Sequence, residues 1–407
     1  MPRQMKDSGV KWIGNVPEDW NIVPIKYLCS MQAGKTLSSE QISEEGVYPV
    51  YGGNGQRGFY TEYNTEGEYL LIGRQGALCG NVHLVEGRFW ATEHALVTTP
   101  SNYSDIAFLY YLLVGMNLNQ YVSSSAAQPG LSVSTISNIS TCLVPMNEQK
   151  RIAAYLEKQC NYIDEIFTKT SASIEEYKKL KQVMITQAVT KGIHQERSMK
   201  ESGISWLTQI PEEWTVERGK NLFVETKELS NTGDEELLTV SHITGVTPRS
   251  EKNVNMFMAE SLVGYKICHE GDLAANTMWM WQGAIGVSKH EGVISPSYNT
   301  YRQRNNEYVS DYLEYLLRIP PLVATYAAYS TGITASRLRL YPDQLFSILF
   351  PVPPKAEQIE IVSYLNGKIP EMDRLIQKKE QFLVELENYK KSMIYEYVTG
   401  KKEVPQS

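Results

Sequence analysis

Residues 5–20 read MKDSGVKWIGNVPEDW, and residues 199–214 read MKESGISWLTQIPEEW. At this offset of 194, eight of sixteen positions are identical: Met5, Lys6, Ser8, Gly9, Trp12, Pro17, Glu18 and Trp20. Six more are close exchanges, such as Asp7 for Glu201 and Val16 for Ile210. A second matched pair lies further on, at an offset of 209. Residues 148–192 open EQKRIAAYL and close ITQAVTKG, and residues 357–401 open EQIEIVSYL and close MIYEYVTGK. The chain is therefore a tandem duplication of head, variable block and helix, and the second block is 15 residues longer. Repetition at this scale decides the fold before any local reading does.

The matched helical segments share a period. Positions spaced 4-3-4-3 from 156 to 188 hold Leu156, Cys160, Ile163, Phe167, Thr170, Ile174, Tyr177, Lys181, Met184 and Ala188. Adding 209 gives Leu365, Ile369, Met372, Ile376, Lys379, Leu383, Leu386, Lys390, Met393 and Tyr397. Eight of ten are apolar in each set, and the polar exceptions fall at the same two places. Sustained 4-3 spacing marks a coiled-coil seam; an amphipathic helix packed on its own domain is the other reading. Asn366, Gly367 and Pro370 are stop signals. They predict a short helix near 355–366, a break, and a long helix from about 370 to 398, with its counterpart near 161–190. About 29 residues at ~1.5 Å each make a rod of roughly 44 Å.

Between the matched ends, residues 24–145 and 218–352 show no clear similarity. Both have short apolar or alternating runs among turn residues, for example Val47–Tyr51, Tyr69–Ile72 and Ala95–Thr98. A helix is expected at 105–121, with Ser104 and Asp105 as cap candidates, and SDYLEYLLRIPPLVATY in block two opens the same way with Ser310 and Asp311. The shared helix predicts one fold for both blocks. The expected class is α+β: two mixed, β-rich domains joined by two long antiparallel coiled-coil helices. Segment boundaries follow as head 1–23, block 24–145, helical spacer 146–198, repeated head 199–217, block 218–352 and helical spacer 353–407.

The chain's 407 residues, 42% apolar and 21% charged, exclude disorder and a full-length coiled coil. The longest apolar stretch, around Phe108–Val114, is far short of the ~20 residues needed to span a membrane. MPRQMKDSG lacks a secretory apolar region. The five cysteines, Cys29, Cys79, Cys142, Cys160 and Cys268, form no CxxC pair. A reducing, cytoplasmic location without disulfides is expected.

No catalytic arrangement emerges. AGKT at 33–36 resembles the end of a phosphate-binding loop, but Cys29 stands where its first glycine is required. SPSY at 295–298 departs from the proline-proline-aromatic element of adenine methyltransferases at Ser297. His94 adjoins Glu93, but neighbours on a strand point to opposite faces, so a hydrogen-bonded core or groove histidine is expected. The six histidines show no metal-ligand spacing, and neither a metal nor a cofactor is expected on this chain.

The whole pattern resembles the specificity subunit of type I restriction–modification systems. Two SGxxWxxxxPxxW heads, two unlike blocks and two EQxxIxxYL…VTG helices carry the resemblance, as does YPVYGGNGQRGFYTEYNTEGEYLLIGRQGALCGN in block one. One departure is VPMNEQ before the first helix, where the second has the more usual VPPKAEQ. The resemblance implies that each block reads one half of a bipartite double-stranded DNA site. It implies that the paired helices set the spacing and dock two modification subunits, and that restriction subunits join them. S-adenosylmethionine, ATP and magnesium would then belong to those partners, and this chain would catalyse nothing. A ~44 Å rod corresponds to about 13 base pairs.

Charge complicates that expectation. Net charge is −7; block one has 5 basic and 9 acidic residues, block two 12 and 14. Binding must then use local clusters, since base reading needs only a few well-placed side chains. In block two, Arg337 and Arg339 follow Gly332 in a polar loop, and arginine forks pair with guanine. Trp279, Trp281 and Gln282 in NTMWMWQG are suited to stacking or edge reading; a strand with its aromatics in the core is the alternative. In block one, Asn54, Gln56, Arg57, Arg74 and Gln75 lie among glycines that let backbone approach closely, or form solvated turns. Gln128 and Ser132 align with the Arg337 loop. A coiled-coil adaptor whose blocks bind proteins is the competing function, favoured by the negative charge.

Overall fold

The structure is a computed structural model that describes every residue except 1–2, 77, 123–129, 195, 253–260, 333–337 and 406–407. It is a mixed α/β protein with two long helices, Met146–Lys191 and Lys355–Val398. By its contacts the chain divides into two units, Met1–Ala172 with Glu380–Ser407, and Ser173–Lys379. Each unit therefore holds a head, a block, the beginning of the helix that follows it and the end of the other repeat's helix.

In the first unit the head is a hairpin, Met5–Asp7 against Asn15–Pro17, and Asn21–Pro24 pairs with Ser140–Leu143 to close the base of block one. The block is a six-stranded sheet in the order Cys29–Ala33, Ala95–Pro100, Thr65–Gly73, Val82–Ala91, Tyr48–Gly52, Gly55–Tyr60. Neighbours are antiparallel except Tyr48–Gly52, which runs parallel to Val82–Ala91. The predicted helix covers Ile106–Gly115, and the Asp105 carboxylate caps it by accepting from Phe108 N at 3.0 Å. Asn117, at φ 49°, breaks it before a 3-10 turn at Leu118–Tyr121. One core joins Trp20 of the head, Phe108 and Leu112 of this helix, Ile152 and Leu156 of the first long helix, and Ile394 and Val398 of the second.

The second unit repeats the plan. Its head pairs Met199–Ile204 with Leu207–Pro211, and Thr215–Arg218 pairs with Leu349–Val352. The block holds a four-stranded antiparallel sheet of Phe223–Thr226, Asn299–Gln303, Leu273–Ala275 and Ile285–Val287, plus two smaller strand pairs. Its two longer helices are Ser310–Leu317 and Pro320–Tyr329. Trp214, Tyr312, Leu316, Val189, Ile361 and Leu365 share one core.

The two scaffolds match bond for bond. In the first, Glu148 accepts from Arg3 and from Trp20 Nε1 (3.0 Å), and Gln149 Nε2 donates to Val144 O and Tyr103 O, both at 2.8 Å. In the second, Glu357 accepts from Arg197 and Trp214 Nε1 (2.8 Å), and Gln358 Nε2 donates to Pro353 O and Glu307 O, both at 2.9 Å. The EQ pair that opens each helix is thus the joint between head, block and helix. Glu357 is the more enclosed carboxylate, its side chain 10% exposed against 25% for Glu148. Glu357→Ala would leave the buried Trp214 N–H without its partner and Arg197 with Glu213 alone. It is expected to lower unfolding stability by roughly 2–4 kcal/mol, and Glu148→Ala by less. Thermal unfolding of both variants checks the size and the order.

The break expected near Pro370 is absent. The second helix runs unbroken through Asn366, Gly367 and Pro370, and both long helices start about 15 residues earlier than the spacing suggests. All three breakers are exposed, so the carbonyl freed by the proline meets water. Leu365 on one side and Ile376 on the other are buried, and Ile369 packs on the second core. These contacts outweigh the ~3 kcal/mol an interior proline costs. The length estimate built on 29 residues, and the 13 base pairs drawn from it, therefore do not hold.

Candidate nucleic-acid interface

The seam residues face inward as the period requires. Leu156, Ile163, Ile174, Leu365, Ile376 and Met393 are buried, and Tyr177, Met184, Met372, Leu383 and Leu386 are partly buried. Phe167 departs from the pattern at 40% exposed; it lines an open groove with Leu84, Tyr110 and Lys390. The helices pair antiparallel within each unit. In the first, Tyr155 meets Tyr397 (ring centroids 4.7 Å) and Asp164 binds Lys390 at 2.6 Å. In the second, Lys181 binds Asp373 at 2.5 Å and Lys379 lies over the Tyr177 ring.

In block one, four turns converge at one end of the six-stranded sheet. The Gly52–Gly55 turn presents Asn54, whose Oδ1 accepts from Asn81 Nδ2 at 2.8 Å. Arg74 and Gln75 leave the strand Thr65–Gly73, and Arg74 is tied through its backbone: its N donates to His94 O and its O accepts from Leu131 N. A Cβ on Gly73 would stand 1.9 Å from Gly53 O, and one on Gly53 would stand 2.9 Å from Gln75 O. Only glycine permits that approach. Gln56 and Arg57 are on the strand Gly55–Tyr60, exposed, with Arg57 folded against Gly52. The exposed Ser132 hydroxyl caps the short helix Val133–Ser137, accepting from Thr135 N at 3.0 Å. Gln128 lies outside the described residues.

His94 needs correction. It lies in the turn Thr92–His94 between two strands, not on a strand. Its Nδ1 bonds Gln75 Oε1 at 2.9 Å and its Nε2 is 3.4 Å from Glu93 Oε1. The hydrogen bond expected of this histidine is present, to Gln75; only the strand expected around it is not. The pattern of a polar triplet, TEH, between two apolar runs was the available turn signal.

In block two the WMW segment is no strand. Met280–Gln282 form one 3-10 turn that buries Met280 and turns the tryptophans outward. Trp279, 48% exposed, stacks on Trp281 (6.2 Å, 15°) and on His242 (6.5 Å, 13°), a partner no sequence signal announced. Gln282 is half-buried. The exposed Arg339 pairs backbone to backbone with Thr331, and Leu340 N donates to Thr277 O, which draws the Arg339 loop toward the tryptophan turn. Arg337 lies outside the described residues.

One charged cluster stiffens block two. His269 Nδ1 meets Glu291 Oε2 at 2.8 Å and Nε2 meets Glu228 Oε2 at 3.0 Å, while Arg302 grips the buried Asp272 at 2.8 and 2.9 Å. Hydrogen bonding to Glu228, then to Glu291, raises the imidazole pKa against the opposing effect of burial. A raised folded-state pKa stabilises fully below the unfolded value, about 6.5, and the contribution is lost as pH rises through the folded value. Thermal midpoints of the wild-type chain should therefore fall as pH climbs above about 6.5, and those of His269→Asn should fall less. Equal slopes for the two chains would contradict this role.

Among the described residues no group of three or more His, Cys, Asp or Glu is placed to hold a metal. Burial pushes the Cys29, Cys142 and Cys268 thiols up to about 12, which keeps them protonated at neutral pH. No helix among the described residues is long and apolar enough to cross a membrane.

Residues 17–176 match the family described as type I restriction modification DNA specificity domain. The matched stretch contains block one and the first two-thirds of its long helix, and the second repeat carries the same scaffold bonds. The chain is similar to the type I restriction enzyme EcoprrI specificity subunit of Escherichia coli, 44% identical over 135 residues, 32% of this chain. That match covers 33% of the relative's length, and one to a putative type I specificity subunit of Mycoplasma pneumoniae covers 38%. A putative type I restriction enzyme specificity subunit, MjaX of Methanocaldococcus jannaschii, is 24% identical over 96% of this chain and 95% of its own. Among solved structures, a chain described under complex assembly and conformational transition of the type I restriction–modification system superimposes with a TM-score of 0.70. It is 15% identical, with 95% of this chain and 99% of that chain covered. The HsdS subunit of Thermoanaerobacter tengcongensis gives a TM-score of 0.51 at 14% identity, covering 95% and 98%. These likenesses establish the fold.

Proposed function

We propose that the chain is the DNA-specificity subunit of a type I restriction–modification complex. Each block reads one half of a bipartite site, and the paired helices set the distance between halves. Two modification subunits dock on the repeated segments and restriction subunits join them. S-adenosylmethionine, ATP and magnesium reside on those partners, this chain performs no chemistry of its own, and the complex works in the cytoplasm.

One observation carries the reading: a scaffold repeated bond for bond holds two unlike blocks, and the family match falls on the first of them. A duplicated frame with different inserts suits a target whose halves differ in sequence. The blocks' exposed amides, arginine and stacked tryptophans supply edge-reading and stacking groups without bulk positive charge. Phosphate contacts then fall largely to the partner subunits.

The test is a gel shift with random-sequence and genomic duplexes, using the chain alone and with its modification subunit. Sequence-specific retention that requires both proteins supports the proposal. A chain that never retains DNA in either state, yet captures another protein through block one or block two, favours the adaptor suggested by the net charge of −7.

A further inference from the structure

At the turn cluster of block one, three side chains stand in line. Gln75 Oε1 bonds His94 Nδ1 at 2.9 Å, and His94 Nε2 lies 3.4 Å from Glu93 Oε1. With the amide oxygen as acceptor, Nδ1 carries the proton. That bond ties the amide oxygen and so sets which way the carboxamide faces. The amide nitrogen of Gln75 donates to no described residue, and its oxygen keeps a second lone pair. The free edge is an N–H donor beside an oxygen acceptor. Adenine presents the complement in the major groove: N7 accepts and the N6 amino group donates. The turn also holds buried polar atoms with no hydrogen-bond partner, Thr92 Oγ1 and Glu93 Oε2.

We propose that Gln75 reads an A·T base pair of the half-site recognised by block one, and that His94 is the positioning residue that fixes its carboxamide. This rests on the DNA-specificity reading above. Backbone ties make the assignment local. Arg74 N donates to His94 O at 2.8 Å, so the two turns move together, and Gly53 packs against the Gln75 carbonyl. Asn54, held by Asn81 on the adjoining turn, lies on the same rim.

The experiment is methylome sequencing of a host that expresses the chain with its modification subunit. Gln75→Ala should widen one position of one half-site from A·T to any pair, with discrimination there falling about tenfold. His94→Leu should widen that same position. His94→Asn, whose amide nitrogen can donate from the place of Nδ1, should restore it. The double variant Gln75→Ala/His94→Leu should widen it no further, because the two residues act as one unit. The half-site read by block two should be unchanged throughout, which reports that the complex is assembled. Unaltered base preference in Gln75→Ala overturns the proposal, as does a widened position that is not A·T. A uniform fall in methylation by His94→Leu, without any change of preference, overturns the positioning role. Should that variant not accumulate, Gln75→Ala and His94→Asn still decide. Absence of sequence-specific methylation with the wild-type chain would instead count against the specificity reading itself.

Discussion

Under the proposed function, replacing residues 25–139 with the corresponding block of a type I specificity subunit is expected to change one half of the methylated DNA sequence completely and leave the other half as it was. The boundaries follow from the base of the block. Asn21–Pro24 pairs with Ser140–Leu143, and Ile25 N donates to Ile139 O at 2.9 Å, so a cut just inside this pair keeps the joint intact. The Glu148 and Gln149 contacts then survive if the incoming block supplies the equivalent carbonyl and helix cap. The helix Ile106–Gly115 sets the main constraint. Phe108, Leu109 and Leu112 are buried in the core shared with both long helices, and Gly115 lies against Val398. An incoming block needs apolar residues at those three places and a small residue at the fourth. Methylome sequencing of the chimera reads the outcome. A chimera that altered both halves would show that the blocks do not read independently.

The second large effect concerns spacing. Deleting seven residues from each helix where they face each other, 171–177 and 377–383, is expected to shorten the spacer by about three base pairs. Seven residues preserve the heptad phase and remove ~10.5 Å of helix. The facing segments are fixed by contacts such as Lys379 over Tyr177, which is why the second deletion is not simply the first moved along the repeat. Both half-sites should persist in sequence. Their relative facing on the duplex changes by about 100°, so much of the affinity is expected to be lost. Deleting four residues would instead shift the seam, exposing positions such as Ile376 and Met393 that are now buried. An active seven-residue variant with its original spacer would mean that the helices do not set the distance.

Much of the scaffold is legible in the sequence because it occurs twice. Trp20 and Trp214, or Glu148 and Glu357, are each ambiguous alone; repetition in matching order marks them as structural, and the structure bonds them to each other. The seam is legible because helical geometry makes burial periodic. What failed was local. Asn366, Gly367 and Pro370 are stop signals by their own chemistry, but burial of Leu365, Ile369 and Ile376 around them is a tertiary effect that local signals do not carry. The sheet of block one was hidden for a related reason: Tyr48–Gly52 runs parallel to Val82–Ala91, a long-range pairing with no turn to announce it. The candidate site was half visible. Glycines beside Asn54 and Gln75 pointed to close backbone approach, and the structure packs those turns together. His94 was misplaced because one residue of strand more or less decides which way it faces. A WMW run serves a strand or a surface stack equally well, and the burial of Met280 decides between them.

The most direct test of two readers on one repeated frame is the methylome of a host carrying the wild-type chain and its modification subunit, compared with the same host lacking only this chain. Two short, unlike sequence elements separated by a spacer of constant length and free sequence, methylated only when the chain is present, are the predicted result. A single continuous motif, or methylation that persists without the chain, would contradict it.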